Sequence, residues 1–88
     1  NEPEKALKLY EVIPSAERDD SDILNMGHCL LYLGRQGDAK ACYAEYISRK
    51  NLTEFLSEVR KDIGQLPFLK GKEEELMWVC DAAAMGID

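Results

Sequence analysis

A helical spacing of small and apolar residues between positions 20 and 47 constrains the fold of this chain more than any other feature. Apolar side chains recur every three or four residues at Ile23, Met26 and Leu30, and a second set with the same period follows over residues 39–47. This is the period of one face of an α-helix. We therefore expect two amphipathic helices that pack face to face.

Glycines mark the first of these helices and the connection that follows it. Gly27 lies inside the helical pattern, where it costs about 1 kcal/mol relative to alanine, so we expect a close approach by a second helix, with Ala39 as the matching small surface. Gly34 suits the left-handed residue that closes a helix, and Asp38 suits the first turn of the next. Such a short connection makes the two helices antiparallel.

These positions resemble the tetratricopeptide repeat, a helical hairpin of about 34 residues. Met26 and Gly27 match the leucine and glycine of that family, and Ala39 and Tyr43 match the alanine and phenylalanine of its second helix. The chain departs from the family pattern where Ile23, Leu30, Tyr46 and Asn51 stand for a tryptophan, a tyrosine, a small residue and a proline. The repeat motif in this chain comprises Met26, Gly27, Leu30, Gly34, Ala39 and Tyr43.

Part of the second-helix pattern is repeated 33 residues upstream, where Ala6 and Tyr10 have the same spacing as Ala39 and Tyr43. The resemblance thus covers residues 3–50, as a half repeat and a full repeat, and it implies an all-α, right-handed solenoid of about five helices in one domain, 1–88. Residues 51–88 are interpreted as a degenerate helical pair that caps the solenoid, because terminal repeats are usually atypical. We expect the chain to be the C-terminal part of a longer protein.

Capping and breaking residues set the expected helix boundaries. The first helix runs from Pro3 to about Ile13, since proline is tolerated in a first turn and Pro14 stops what precedes it. Asp20 or Ser21 is expected to cap the next helix.

Two further helices are predicted in the C-terminal part. Asn51 and Glu54 form a capping pair that opens a helix over residues 52–65, which ends or kinks at Pro67. A last helix is expected to begin near Lys72 and to be largely covered. Its apolar face is Leu76, Val79, Cys80, Ala83 and Ile87, widened by Trp78, Ala82 and Met85.

The composition excludes several classes of function. The 17 acidic and 11 basic residues give a formal charge of −6, which disfavours binding to nucleic acids and to anionic membranes. No apolar run reaches the length of a membrane span. The three cysteines are an odd number without metal-binding spacing, so we expect buried, reduced thiols and a cytoplasmic location.

The resemblance also implies a binding site. In tetratricopeptide proteins the first helices of the repeats line a concave groove, and the outward positions hold a partner peptide or helix. Only Asn25 fits the version of the family that clamps a carboxylate, so we expect a mixed apolar and aromatic contact surface. Alternatively, Leu24, Leu31 and Tyr32 are packing residues, covered by the C-terminal helices or by missing upstream repeats. The predicted site residues are Leu24, Asn25, His28, Leu31, Tyr32 and Arg35.

No catalytic, cofactor-binding or metal-binding set is recognisable. His28 and Cys29 point about 100° apart on a helix and have no further ligands at suitable spacing, so His28 is interpreted as facing the groove or as partly covered. The serines have no glycine elbow or positioned histidine. We expect a protein-binding scaffold and no enzyme; the alternative is a structural cap, or a homo-oligomer formed through Phe68, Trp78 and Met85.

Overall fold

The computed structural model describes residues 2–86, and this part of the chain is all-helical. It contains five α-helices and two short 3₁₀ turns, with no strand among the described residues. The helices are α1 (Pro3–Val12), α2 (Asp20–Tyr32), α3 (Gln36–Arg49), α4 (Leu52–Gln65) and α5 (Glu73–Met85), and the 3₁₀ turns are Ser15–Glu17 and Pro67–Leu69. The predicted number of helices is confirmed.

Helix α3 holds the fold together. It packs along α2, and it also contacts α4 and α5, while α1 packs on α2. The ring of Tyr43 on α3 lies 5.5 Å from the ring of Phe55 on α4, and neither side chain reaches solvent. The buried apolar residues are Leu7, Ile23, Leu24, Met26, Cys29, Leu30, Leu31, Ala39, Tyr43, Tyr46, Phe55, Val59, Leu69, Leu76, Val79, Cys80 and Ala83.

The close approach predicted at Gly27 is confirmed, but the group that approaches is different. A Cβ atom built on Gly27 would lie 2.6 Å from Cε1 and 2.9 Å from Cδ1 of Tyr43. The flat ring of Tyr43, rather than Ala39, is therefore the nearest surface. Gly34 has a φ of +84°, so its predicted left-handed conformation after α2 is also confirmed.

The caps of α2 and α4 differ in how well they were predicted. The N-cap of α2 is Asp19 rather than Asp20 or Ser21: its Oδ1 accepts the backbone N–H of Asp22, and Asp22 in turn accepts the backbone N–H of Asp19. Two carboxylates complete this reciprocal box, a combination that the usual glutamate signature does not include. Asn51 caps α4 as predicted, since its Oδ1 accepts the backbone N–H of Glu54.

The segment between α1 and α2 is short and tied to α1. Helix α1 ends at Val12, close to the predicted boundary, and the 3₁₀ turn Ser15–Glu17 follows. The Arg18 guanidinium then donates to the backbone carbonyl oxygens of Tyr10 and Glu11, at 3.2 and 3.4 Å. This connector is ordered by hydrogen bonds and is not a flexible linker.

The expectation that α5 is largely covered is wrong. Its predicted apolar face is buried over Leu76, Val79, Cys80 and Ala83, but Trp78 is 64% exposed and Met85 is 72% exposed. The reason is that α5 packs on α3 with one face, and Trp78, Asp81 and Met85 on its outward face stay exposed. Leu52 at the start of α4 is exposed too, and Ile87, the last residue of the predicted α5 face, lies outside the described residues.

Candidate protein-binding groove

The six residues predicted to bind a partner do not form one exposed surface. Leu24, His28 and Leu31 are buried, Asn25 is half-buried, and Tyr32 and Arg35 are exposed. The packing alternative therefore describes Leu24 and Leu31 in this structure. Partner binding by the remaining positions stays a prediction.

His28 is completely buried, so the interpretation of a groove-facing or partly covered histidine is wrong. Its Nδ1 lies 2.8 Å from the hydroxyl of Tyr43 on α3, and its Nε2 lies 2.7 Å from Oδ2 of Asp62 on α4. Because a carboxylate only accepts, Nε2–H donates to Asp62, and in the neutral ring Nδ1 accepts the Tyr43 O–H. One side chain thus joins three helices.

The chemistry of this buried network is structural. Burial raises the pKa of Tyr43 far above its ordinary value, which keeps the hydroxyl protonated as the donor that His28 requires. Neither His28 nor Tyr43 reaches solvent, whereas the Asp62 side chain is 21% exposed. Of these three side chains only Asp62 is accessible from outside, and it also accepts the hydrogen bond of the histidine.

A groove of about 430 Å³ lies between the first half of α2 and the outer face of α4, above the C-terminal end of α3. Two of the predicted site residues, Leu24 and Asn25, line it. The buried side chains of Leu24 and Tyr46 provide an apolar part of its lining. The complete lining is Asp19, Asp20, Ser21, Leu24, Asn25, Tyr46, Lys50, Glu54, Glu58 and Asp62.

The charge of this groove is strongly negative. Five of the lining residues are carboxylates and Lys50 is the one cation among them; its Nζ lies 3.8 Å from Oδ2 of Asp20. Glu54, Glu58 and Asp62 recur every four residues, which places them on one face of α4. This spacing is visible in the sequence, but the sequence does not reveal that the face turns toward α2.

Some of these carboxylates already have partners within the chain. Glu58 Oε2 lies 3.1 Å from Nζ of Lys61, and Asp62 accepts from His28. The backbone N–H of Asp22 and the hydroxyl of Ser21 donate to Asp19, and these bonds lower the pKa of its carboxyl. The Glu58–Lys61 pair is solvent-exposed, and exposed pairs of this kind contribute only about 0–1 kcal/mol. A partner's cation can therefore compete for Glu58.

A second, smaller cavity of about 250 Å³ lies on the other side of Asn25. Asn25 lines both cavities, and burial raises the pKa of Tyr10, which lines the smaller one. Beyond it, the ring of Tyr32 packs edge-on against Phe68 at 5.6 Å. The lining of this cavity is Glu2, Pro3, Ala6, Tyr10, Asn25, Cys29, Leu66 and Phe68.

Arg35 lies away from both cavities. It is the N-cap residue of α3, and its Nη2 is 2.8 Å from Oδ2 of Asp38 in an exposed ion pair. The structure therefore does not bring Arg35 together with Leu24 and Asn25.

Three further observations bear on the kinds of site. Among residues 2–86 there is no group of three or more histidine, cysteine or acidic side chains placed to hold a metal ion. Cys29, Cys42 and Cys80 are free thiols; Cys29 and Cys80 are buried as expected, but Cys42 is only partly covered. Within the described part of the chain, every helix is too short or too polar to cross a membrane.

Comparisons with known proteins add no relative. No family model matches the sequence, and the searches of curated proteins and of solved structures also found no match.

Proposed function

We propose that this chain is a protein-interaction domain that holds a basic segment of another protein in the groove between α2 and α4. The observation that carries this proposal is the lining of that groove, in which carboxylates surround the buried side chains of Leu24 and Tyr46. A surface of this composition attracts lysine and arginine side chains and accepts the apolar stems that carry them.

The right-handed, tetratricopeptide-like solenoid is part of the same proposal. It is supported by the spacing of the motif, by the contacts of α2 with α1 and α3, and by the close approach of Tyr43 to Gly27. In such a solenoid α2 and α4 are the first helices of successive pairs, which are the helices that line a concave groove. A cytoplasmic location, supported by the three free thiols, belongs to this proposal as well.

The acidic residues that line the groove differ in whether they also support the fold. Glu54 and Glu58 stand one turn apart on α4, at a spacing that matches alternate side chains of an extended peptide. Asp20 is already close to Lys50, which shows how an ammonium group sits at this edge. Asp62 is held by His28. Glu54 and Glu58 are therefore the residues that select a cationic partner.

A fluorescent peptide of alternating lysine and threonine tests this function. We expect saturable binding in fluorescence anisotropy, with an affinity that falls as salt is added. The double variant Glu54→Gln/Glu58→Gln should weaken binding by about fivefold or more, since each exposed charge pair contributes up to about 1 kcal/mol. Circular dichroism would establish that the variant is folded.

A matched control comes from α1. Glu4→Gln/Glu11→Gln removes the same charge from two exposed positions outside the groove and should leave the affinity unchanged. Equal weakening by both double variants would mean that only the net charge acts. If a neutral glutamine–threonine peptide bound with the same affinity, the groove would still be a binding site, but it would not select basic partners.

The alternative of a structural cap or a homo-oligomer has one observation in its favour. Leu9 and Val12 on α1 and Trp78 and Met85 on α5 are exposed apolar side chains. A molecular mass that rises with concentration in light scattering would support self-association. A monomer that binds neither peptide would support a cap.

A further inference from the structure

The outward face of α5 is an exposed apolar surface. Trp78 and Met85 stand seven residues apart and are 64% and 72% exposed, with Met77 and Ala84 exposed beside them. Seven residues are close to two helical turns, so Trp78 and Met85 lie on one stripe. Tryptophan and methionine are enriched at the centres of protein interfaces.

The charged side chains that α5 itself places along this apolar stripe are acidic. Glu74, Trp78, Asp81 and Met85 follow each other at intervals of four, three and four residues, which is one continuous face of a helix. Glu73 adds a further exposed carboxylate at the start of α5, and the helix contains no lysine or arginine. A partner that covers the stripe therefore meets negative charge along its length.

The charges decide between two kinds of occupant. If two copies of the chain packed α5 against α5, the interface would collect carboxylates from both copies, and α5 offers no lysine or arginine to pair with them. Like-charge contacts in an interface are unfavourable. An amphipathic helix with lysine or arginine beside its apolar side would instead satisfy both features. Its apolar residues would cover Trp78 and Met85, and its cations would approach Glu74 and Asp81.

We propose that the outward face of α5 is a second interaction surface, which binds a basic amphipathic helix of another protein. Flexible methionine side chains suit such a surface because they adapt to different apolar neighbours. No residue of α5 lines the groove between α2 and α4, so the two surfaces are separate. This interaction therefore does not depend on the groove, and either one can fail without the other.

The chain contains one tryptophan, which makes Trp78 a reporter of its own surface. The probe is a synthetic amphipathic helix of leucine and lysine. We expect a saturable shift of the Trp78 fluorescence maximum to shorter wavelength, because the indole leaves water. A peptide of the same composition in scrambled order, and an amphipathic peptide of leucine and glutamate, should cause no shift at the same concentrations.

Two sets of variants test the contacts. Glu74→Gln/Asp81→Asn should weaken the binding by about fivefold or more, and Met85→Ser should weaken it while leaving Trp78 to report. Glu4→Gln/Glu11→Gln on α1 removes the same charge and should leave the binding constant unchanged. Circular dichroism of every variant separates a lost contact from a lost fold.

Three results would overturn the proposal. The first is an unchanged fluorescence maximum at saturating peptide. The second is an equal shift with the scrambled peptide, which would indicate non-specific association. The third is a shift that appears with rising protein concentration alone, together with a larger mass in light scattering, which would identify the occupant as a second copy of the chain.

Discussion

His28 donates to Asp62 across a distance of 2.7 Å, and this bond joins the middle of α2 to the last turns of α4. The histidine is fully buried, and removal of the carboxylate would take away the acceptor of its Nε2–H. A buried donor without an acceptor costs about 1–3 kcal/mol. The stability of the fold and the wall of the groove therefore share one side chain.

Replacing Asp62 should accordingly destabilise the protein. We expect Asp62→Ala to lower the free energy of unfolding by about 1–3 kcal/mol, measured by urea denaturation. Asp62→Asn should lose less, because its amide oxygen can still accept. Asp81→Ala removes the same residue type from an exposed position of α5 and serves as the control. Equal losses for Asp62→Ala and Asp81→Ala would contradict a special role for the bond.

Two glycines inside helices should respond in opposite ways to alanine. At Gly27 a Cβ atom would lie 2.6 Å from the Tyr43 ring, and overpacking of this kind costs about 1–3 kcal/mol. At Gly64 in α4 no atom lies within 4 Å of the added Cβ, so the better helix propensity of alanine should raise stability by up to about 1 kcal/mol. Thermal unfolding followed by circular dichroism would measure both. A stabilised Gly27→Ala would mean that α2 and α3 are not packed as described.

Leu31 and Tyr32, two neighbours in the predicted binding site, should contribute very differently to the stability of the fold. Leu31 has no exposed surface, and Leu31→Ala should cost roughly 2–5 kcal/mol. Tyr32 is 42% exposed and its main neighbour is the Phe68 ring, so Tyr32→Ala should cost about 1 kcal/mol. Urea denaturation curves of the two single variants provide the comparison. Similar small losses of stability for both variants would mean that Leu31 is not buried as described.

The N-cap of α2 should make stability depend on pH. The hydrogen bonds donated to Asp19 lower the pKa of its carboxyl below the usual value of about 3.9, so folding favours the ionised form. This contribution is fully present above the unfolded pKa and is lost as the pH falls through the lower folded value. Asp19→Ser keeps a capping oxygen that does not titrate, so its melting temperature should fall less than that of the wild type below about pH 4. Parallel curves for the two proteins would exclude this linkage.

The thiols should be unreactive in the native state. Burial raises the pKa of Cys42 to about 11 and that of Cys80 to about 12, and it also raises the pKa of Cys29. Since the thiolate is the reactive form, alkylation by iodoacetamide at about pH 8 should be slow for all three and fastest at the partly covered Cys42. Mass spectrometry over time, with and without denaturant, would measure this order. Rapid native alkylation of Cys80 would contradict its burial.

The helices were predictable because their signals are local. Proline in a first turn, a capping asparagine and a periodic apolar stripe act within a few residues, and they predicted α1 and α4 closely. Gly27 also indicated a close contact, although its partner on another helix was beyond what the sequence could identify. The cap at Asp19 was not predicted because its capping box is completed by an aspartate, Asp22, and the usual pattern has a glutamate or glutamine there.

The candidate site was less predictable because it depends on which faces meet. His28 carries no signal of its 34-residue link to Asp62, and the acidic face of α4 is indistinguishable in the sequence from an ordinary solvated helix surface. The exposure of Trp78 and Met85 depends in the same way on which face of α5 packs on α3.

The double contact of Asp62 also limits how the groove can be retuned. A substitution there changes the ligand surface and the support of a buried histidine at once, so a gain in recognition would come with a loss of fold stability. Glu54 and Glu58 lie farther along the same wall, and they do not support a buried side chain as Asp62 does. Under the proposed function, substitutions that adapt the domain to a new partner would therefore fall in the first two turns of α4.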